Sequence, residues 1–393
     1  MISIDRREAV RRLGVVAAGG VLAGCAGGRP VPGAGPTPRA WNRRWPLVDV
    51  SPDRVTRTIV GLRPYRSSGF VVRTDVLDGK PVIHNYGHGG GGITLSWGTA
   101  HLALEEALKI EHREAAIIGC GAVGLATARL LQRHGFSVRI YARDLPPQTT
   151  SNIAAGQWAP FSVFSPSDVT DAFMAQFRRA SLLAYGHYQA LVGPDYGVSW
   201  IENYSLSSRP ITPGPIERAV PEIFPGVRDL EPHEHPFPAE HVQVVVTMLV
   251  ETSRYLRAME RDTRLAGARI EIREFTDPAE LVALPEPVVI NCTGLGSRAL
   301  FGDDELHPVR GQLEVLLPQP EVDYILLPGG GLYMMPRSDG IILGGSFDPD
   351  DWSLDPDPAI SRRIVGGHER LFATISDNVA AHEAALVGGP PST

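Results

Sequence analysis

The pattern of hydrophobic and polar positions predicts strands that alternate with helices from Val55 onward. An apolar run at 115–118 is followed by glycines, a helical pattern from 122 to 133 and a second apolar run at 137–141. This order predicts a βαβ unit. Strands and helices that alternate in this way are typical of α/β domains with a parallel sheet.

The segment before this unit shows the same change from strands to helix. Extended segments are predicted at 58–66, 70–73 and 81–83, and a helix from Ile93 to Lys109. A glycine-rich loop therefore precedes a helix twice, at 87–92 and at 119–124. Because the free N–H groups at a helix N-terminus attract electronegative groups, the two loops predict a large ligand that is held at both ends.

The second loop carries the spacing of a dinucleotide-binding turn. Gly119 permits the tight turn, Gly121 lets the backbone approach a pyrophosphate, and Gly124 lets the helix lie close to the strand. An acid that binds the ribose is expected about 20 residues on. Arg143 and Asp144 stand in that region, so the ribose contact is the weakest part of the motif.

The later chain predicts a second domain inserted into the first. Loops and mixed elements are expected from 160 to about 242, a helical pattern from 242 to 266, and strands at 269–272, 288–290, 310–316, 332–336 and 341–345. The proline-rich stretch at 209–238 has the character of a cap domain.

Composition excludes several classes of protein. The chain has 393 residues, of which 43% are hydrophobic and 21% charged, and its formal net charge is -7. This size favours two domains, and the acidic balance without a basic stripe argues against a nucleic-acid partner. Outside the leader only Cys120 and Cys292 occur, which predicts neither a disulfide nor a metal site.

The N-terminus has the pattern of an export signal. Arg6 and Arg7 precede a short apolar stretch of small residues that ends in the sequence Leu-Ala-Gly-Cys at 22–25. This arrangement resembles a twin-arginine signal with a lipobox, which implies an exported, extracytoplasmic protein whose membrane contact is a lipid on Cys25. A cytosolic amphipathic helix is the alternative, but the glycines at 19, 20 and 24 disfavour a helix. Residues 26–50 are predicted to be a linker, flexible at 26–38.

Taken together, the segments resemble the FAD-dependent D-amino-acid oxidase family, which includes D-aspartate oxidase. The residues that carry the resemblance are 60–64, 82–100, 117–124, 141–158, 289–296, 309–312 and 332–345. In the family, the segments that correspond to 60–64 and 82–100 lie near the C-terminus. The order here is that of a circular permutation, for which we expect Val387 to lie beside residues 51–55.

The resemblance implies a Rossmann-type FAD-binding domain with an inserted mixed-sheet substrate domain. The predicted divisions are 1–25 (signal), 26–50 (linker), 51–160 (FAD-binding, with 51–110 as the permuted segment), 161–245 (mostly substrate or cap domain), 246–300 (FAD-binding), 301–350 (substrate-domain strands) and 351–393 (helix and tail).

The resemblance also implies the cofactor-binding residues. Gly119, Gly121 and Gly124 would hold the pyrophosphate, with further contacts from Thr149, Thr150 and Ser151, and Ala122 and Val123 of the same turn would also bind the cofactor. Arg143 and Asp144 would bind the adenosine side, Phe275 and Thr293 the ADP half, and Ala155, Gly156 and Gln157 the flavin edge. Gly89, Gly90, Gly91, Gly92, Ile93 and Thr94 would bind the flavin ring, where reduction places negative charge.

For catalysis, the resemblance implies that Arg63 binds the substrate carboxylate, Tyr333 donates a second hydrogen bond and the Gly90 carbonyl receives the amine. Hydride transfer from Cα to flavin N5 would give an imine that hydrolyses to a 2-oxo acid, and oxygen would be reduced to hydrogen peroxide. The family's second active-site tyrosine has no counterpart, because Gly329 stands in its place. Arg337 is expected to be an exposed turn residue, the alternative being that it binds a second carboxylate of the substrate.

Three alternatives remain open at this point. A glycine- or sarcosine-type oxidase would share the fold and the flavin. A surface lipoprotein could bind flavin without turnover. A nicotinamide dehydrogenase would leave the loop at 89–92 without a ligand.

Overall fold

The structure, a computed structural model, describes residues 44–387, with side chains to residue 384. The predicted signal, the flexible part of the linker and the last six residues therefore lie outside the described residues. Two sheets organise the described chain.

The first sheet has six strands in the order β10-β5-β4-β11-β3-β2. Strands β3, β4, β5, β10 and β11 are parallel, and β2 is antiparallel to β3. Their bounds are β2 (Val71–Leu77), β3 (Lys80–Tyr86), β4 (Glu114–Ile118), β5 (Ser137–Ala142), β10 (Arg269–Ile272) and β11 (Val288–Asn291). This is the doubly covered α/β sheet predicted from the sequence.

The second sheet has ten strands, eight of them in the order β1-β12-β15-β14-β13-β7-β9-β6, while β16 pairs with β12 and β8 with β9. Their bounds are β1 (Val55–Tyr65), β6 (Gln157–Trp158), β7 (Val198–Ser207), β8 (Arg228–Leu230), β9 (His241–Val250), β12 (His307–Leu316), β13 (Tyr324–Gly329), β14 (Leu332–Arg337), β15 (Gly340–Gly344) and β16 (Asp348–Pro349).

Helices cover both sheets. They are α1 (Gly92–Leu108), α2 (Ala122–Arg133), α3 (Thr150–Ile153), α4 (Asp171–Ala190), α5 (Pro215–Ala219), α6 (Thr252–Leu265), α7 (Pro278–Val282), α8 (Gly296–Phe301) and α9 (Pro358–Val387). Within residues 44–387, no helix combines the length and the apolar character needed to span a bilayer.

The alternation within β4 shows why the first sheet is buried on both faces. Ala115 and Ile117 belong to the large cluster that also includes residues of α1, α2, α4 and α6. Ala116 and Ile118 belong to a smaller cluster with Leu281 of α7. Because side chains alternate across a strand, a continuous apolar run buries both faces.

Several predicted boundaries are wrong. Residues 44–50 are not linker, because Trp45, Val48 and Val50 are buried in a cluster that also contains residues of α9. Gln319 holds residues 44–50 in place, because its side chain accepts from the Asp49 N–H at 2.8 Å and donates to the Asp49 carbonyl at 3.0 Å. The folded unit therefore begins before residue 51, the predicted boundary.

Three segments belong to a different element or sheet from the one predicted. β1 was placed with the FAD-binding domain but pairs with β12 of the ten-stranded sheet. Helix α4, within the predicted cap segment 161–245, contributes Phe177 and Tyr188 to the core beside α1 and α2. The segment predicted as a helix from 242 begins as strand β9, whose valines favour a strand, and helix α6 starts only at Thr252.

Candidate active site

The predicted cofactor residues collect at one edge of the six-stranded sheet. Gly119 follows β4, Arg143 follows β5, Phe275 lies beyond β10, and Thr293 follows β11. Gly89 follows β3 in the same way. Because these five strands are parallel, their carboxyl ends meet at the edge where open α/β sheets bind ligands.

The glycines of the first turn are required by backbone contacts. Gly119 has a φ of 115°. A Cβ on Gly119 would lie 2.4 Å from the Cys292 carbonyl oxygen, and one on Gly124 would lie 2.1 Å from the Gly119 oxygen. The strand and helix therefore approach as closely as the motif predicts.

The N-terminus of α2 offers hydrogen-bond donors to an anion. Its N-cap residue, Gly121, has no side chain that could accept from the first turn. The Ala122 N–H donates to Ser151 Oγ at 3.0 Å. Nearby in sequence, the buried amide nitrogen Nδ2 of Asn152 has no hydrogen-bond partner among the described residues. A glycine cradle beside an unpartnered donor fits the pyrophosphate of FAD.

The glycine loop at 87–92 is covered by residues 159–163. A Cβ on Gly89, whose φ is 54°, would lie 2.0 Å from the Ser162 oxygen, and the Gly90 N–H donates to the same oxygen at 2.9 Å. A Cβ on Gly91 would lie 2.6 Å from Val163 Cγ2. Gly92 begins α1, and this helix N-terminus is the second one at the same sheet edge.

The side chains of Ile93 and Thr94 point into the core. Both residues are buried, and the Thr94 hydroxyl donates to the Ala159 carbonyl at 3.0 Å. A ligand at this loop would therefore meet the backbone of residues 92–94 rather than these side chains.

The segment 149–157 crosses from the six-stranded sheet to the ten-stranded sheet. Thr149 Oγ1 donates to the Asn152 side chain at 2.8 Å, and Thr150 begins α3. Ala155 packs against the same cluster as Tyr333. Gly156 has a φ of 104°, and Gln157 opposes Leu249 at the edge of the ten-stranded sheet.

The predicted adenosine-side residues are more exposed to solvent than the two glycine loops. Arg143 donates to Asp144 at 2.8 Å and to Glu274 at 3.4 Å. The hydrogen bond to Asp144, followed by that acid's charge and by Glu274, raises the pKa of Arg143 despite some desolvation. Phe275 packs edge-on against Tyr141, with 5.8 Å between the ring centroids. The structure thus brings Arg143 and Asp144 together.

Thr293 is occupied by a hydrogen-bond network inside the protein. Its hydroxyl donates to Asn291 Oδ1 at 2.8 Å and lies 2.8 Å from Ser297 Oγ. The Asn291 amide in turn donates to His84 Nδ1 at 3.1 Å. This network fixes the turn after β11.

The predicted substrate residues meet on one face of the ten-stranded sheet. Tyr333 lies on β14, and a Cβ on Gly344 of β15 would come 2.0 Å from its Cζ atom. The Arg63 guanidinium lies over Gly311, where a Cβ would come 2.5 Å from Nη1. Two glycines therefore make room for these two side chains. A Cβ on Gly90 would lie 3.8 Å from Arg63 Cδ, which places the glycine loop at 87–92 beside Arg63.

Arg63 is suited to bind a carboxylate. Its guanidinium makes two long hydrogen bonds to backbone carbonyls, those of Val309 (3.5 Å) and Arg310 (3.4 Å), and interacts with the Tyr333 hydroxyl. No carboxylate within residues 44–387 pairs with it. The Phe347 ring centroid lies 5.8 Å from its Cζ atom. The planar fork remains available for a bidentate contact.

Tyr333 keeps its proton at neutral pH. Burial raises the pKa of its hydroxyl, and the charge and hydrogen bonding of Arg63 offset this only in part. A protonated phenol can donate a hydrogen bond, so Arg63 and Tyr333 present donors from neighbouring positions.

The expectation for Arg337 is wrong. This residue is buried, and its guanidinium bonds to Asp339, to the Ala154 carbonyl and to the Thr252 hydroxyl. Arg337 lies at the end of β14, where a turn and an exposed side chain are expected. Helices α3 and α6 cover this end of the strand and bury the side chain. Gly311, Gly344 and Phe347 were also missed, since their role depends on which strands pair.

Comparisons with known proteins agree with this geometry. The family model described as FAD dependent oxidoreductase, DAO, matches residues 38–106 and 114–390. The D-amino-acid oxidase of Rubrobacter xylanophilus is 31% identical over 282 residues, which cover 70% of this chain and 83% of the relative. The D-aspartate oxidase of Homo sapiens is 31% identical over 258 residues, 64% of this chain and 73% of the relative.

The similar solved structures share less sequence identity with this chain than these two relatives do. The glycine oxidase of Geobacillus kaustophilus has a TM-score of 0.49 and 18% identity, over 68% of this chain and 80% of that one. The glycine oxidase of Bacillus cereus has a TM-score of 0.47 and 16% identity, over 68% and 80%. The family match and the relatives at about 30% identity, together with the fold and the glycine cradle, show that the chain belongs to the DAO family of FAD-dependent oxidoreductases and is an FAD-dependent amino-acid oxidase.

Proposed function

We propose that the protein oxidises D-amino acids to 2-oxo acids, with release of ammonia and hydrogen peroxide. The observation that carries this proposal is the pair of Arg63 and Tyr333 on the ten-stranded sheet, with Gly90 beside Arg63 and Ala155 packed against the same cluster as Tyr333. The names of the relatives at 31% identity support a D-configured substrate.

The residues bind and orient the substrate. Arg63 takes the α-carboxylate through two parallel hydrogen bonds, and Tyr333 donates to the same carboxylate. The Gly90 carbonyl accepts from the amine, since its N–H is already used by Ser162. Three fixed contacts define which Cα substituent faces the cofactor, so the chain selects one enantiomer by orientation and needs no side-chain base.

The remaining residues hold FAD. When bound, FAD supplies the two-electron acceptor that takes the hydride and passes the electrons to oxygen. The N-terminus of α2 would hold the pyrophosphate, and the N-terminus of α1 would stabilise the negative charge that reduction places on the ring.

A substrate panel tests the proposal. The purified holoprotein is offered D-amino acids, their L enantiomers, glycine and sarcosine, and peroxide is measured. We expect turnover of D-amino acids alone. Turnover of glycine or sarcosine with no D-amino-acid activity would assign a glycine-type oxidase, and no bleaching of the flavin by any D-amino acid without oxygen would assign a binding protein.

We also propose that the protein is exported and held at the membrane by a lipid on Cys25. The support is the sequence at 1–25. Cys25→Ser should move the protein from the membrane fraction to the soluble extracytoplasmic fraction. Lys replacement of Arg6 and Arg7 should retain it in the cytoplasm, and retention of the wild-type protein there would refute the proposal.

A third proposal is that the chain order is a circular permutation of the family. The family match is interrupted at residues 107–113, from the end of α1 to the start of β4. Val55 of β1 and Val379 of α9 pack against the same hydrophobic cluster. The expected closeness of Val387 to residues 51–55 stays a prediction. A chain that joins 387 to 44 through a linker, so that the buried residues 44–50 are kept, and opens at 110–113 should fold and bind FAD, and failure of several linkers would argue against the permutation.

A further inference from the structure

One buried arginine connects the strand of Tyr333 to the cofactor segment. Arg337 ends β14, four residues after Tyr333, and only 2% of its side chain is exposed. One side of its guanidinium binds the Asp339 carboxylate through Nε, at 2.7 Å, and through Nη2. The other side donates from Nη1 to the Ala154 carbonyl at 3.0 Å and to Thr252 Oγ1 at 2.8 Å.

These contacts hold the C-terminal end of α3. The Thr252 hydroxyl, which accepts from Arg337, donates in turn to the Asn152 carbonyl at 3.1 Å. The carbonyls of residues 152 and 154 are thus fixed by one cation and one hydroxyl. The last carbonyls of a helix lack intrahelical partners and favour a positive charge, so this arrangement satisfies them.

The segment held in this way touches both halves of the cofactor site. Ser151 of α3 accepts the N–H that begins α2, at 3.0 Å. Ala155 packs against the same hydrophobic cluster as Tyr333, and Gly156 is confined by the Val250 carbonyl, which lies 2.3 Å from the position of a Cβ. A shift of Ala154 would therefore move the pyrophosphate side and the flavin edge together.

The chemistry requires arginine at this position. A buried charge is costly unless it is paired and hydrogen-bonded, and Asp339 supplies the pair. Burial favours a higher pKa for Asp339, but the hydrogen bond and charge of Arg337 outweigh it and lower the pKa. The planar guanidinium serves the carboxylate on one side and Ala154 on the other, which the single ammonium of a lysine cannot do.

We propose that Arg337 is a positioning residue that couples the substrate sheet to the FAD site by fixing residues 152–156. The proposal rests on the assignment of residues 151–157 to the cofactor site under the proposed function. It requires no contact between Arg337 and the substrate.

The test measures FAD retention in purified holoprotein. Arg337→Met, Arg337→Lys and Thr252→Val are compared with wild type by ultrafiltration and by visible circular dichroism of the bound flavin. We expect about a tenfold rise in the FAD dissociation constant for Arg337→Met, as for one lost hydrogen bond to a charged group, and smaller rises for the other two. The flavin dichroism should change in all three.

Arg57→Met is the matched control. Arg57 pairs with the same carboxylate, Asp339, at 3.4 Å, but it is half-exposed and reaches neither Ala154 nor Thr252. We expect this variant to retain FAD and its dichroism. If Arg57→Met weakens FAD binding as much as Arg337→Met, the effect belongs to the ion pair and the proposal is overturned.

Two outcomes separate the inference from the proposed function. FAD affinity within twofold of wild type and unchanged dichroism in the Arg337 and Thr252 variants overturn the inference, even if D-amino acids are oxidised. A wild type that oxidises no D-amino acid overturns the proposed function, while the affinity series still decides the inference. If Arg337→Met does not fold, Arg337→Lys and Thr252→Val decide it alone.

Discussion

The two sheets perform different tasks with different residues. The six-stranded sheet presents backbone: its edge offers glycines, helix N-termini and N–H groups, and Gly124 and Gly119 touch each other there. The ten-stranded sheet presents side chains, Arg63 and Tyr333, in spaces left by Gly311 and Gly344. Cofactor binding should therefore depend on backbone fit, and substrate binding on individual functional groups.

Arg63→Met should have the largest effect, and it should affect the substrate sheet alone. Loss of the guanidinium leaves the substrate carboxylate without its charged partner, so kcat/KM for D-amino acids should fall on the order of 10³-fold. FAD content should remain that of wild type, because the change lies in the substrate sheet. Steady-state peroxide production together with the absorbance of bound flavin measures both, and loss of the flavin would contradict the division of tasks.

The converse change is Gly124→Ala, which should damage only the cofactor sheet. The new Cβ would lie 2.1 Å from the Gly119 carbonyl, so strand and helix must separate. We expect FAD affinity to fall about 100-fold, the effect of losing about 3 kcal/mol. Isothermal titration of FAD into the purified variant gives the value.

Gly186→Ala is the control for that substitution. Gly186 lies inside α4, and a Cβ there would meet no atom within 4 Å. It should leave FAD binding unchanged and add roughly 0.5–1 kcal/mol to the free energy of unfolding. Equal loss of FAD in both variants would show that glycine content, rather than the close approach, explains the first result.

Gly344→Ala should affect the substrate sheet through Tyr333. Its Cβ would fall 2.5 Å from the phenolic oxygen and push the ring from its place. We expect about a 30-fold fall in kcat/KM, similar to the fall in Tyr333→Phe, as for one hydrogen bond to a charged group. If Tyr333→Phe has full activity, the hydroxyl does not bind the carboxylate.

A smaller effect concerns stability rather than catalysis. Burial lowers the pKa of His88 to about 3, below its ordinary value near 6.5, and the ring lies 3.0 Å from Thr99 Oγ1. Between these two pH values the unfolded chain binds a proton that the folded chain does not. Stability from neutral His88 is therefore complete above pH 6.5 and falls by about 1.4 kcal/mol for each pH unit below it.

The substitution His88→Gln measures the contribution of His88 to the pH dependence of stability. The difference in the pH dependence of urea unfolding between the variant and wild type, measured from pH 7 to pH 4.5, should amount to nearly one proton. Parallel curves would mean that His88 takes up its proton at the same pH in the folded and the unfolded protein, which would contradict the lowered pKa.

The comparison also explains what could be predicted from the sequence. The βαβ unit was predictable because Gly119, Gly121 and Gly124 act on neighbouring backbone, and helix α2 has the predicted bounds. Arg63 and Tyr333 were found through family resemblance, since nothing local distinguishes a clamp arginine from a surface one. β1 was placed in the wrong domain because its partner, β12, lies about 250 residues away in sequence.

Arg337 shows the same limit most clearly. Its burial depends on α3 and α6, which cover the end of β14, and no pattern around Arg337 itself encodes this. Interactions between distant segments decide such positions, and sequence periodicity reports only local ones.

The central claim is that Arg63, on one sheet, binds the D-amino-acid carboxylate while FAD is held at the edge of the other. The most direct measurement is anaerobic stopped-flow absorbance of the flavin after mixing wild type and Arg63→Met, at equal flavin content, with a D-amino acid or its L enantiomer. The account predicts full bleaching of wild type by the D enantiomer alone and bleaching at least 10³-fold slower, on the order set by loss of a charged partner, in the variant. Equal rates in the two proteins, or no bleaching of wild type by any D-amino acid, would contradict it.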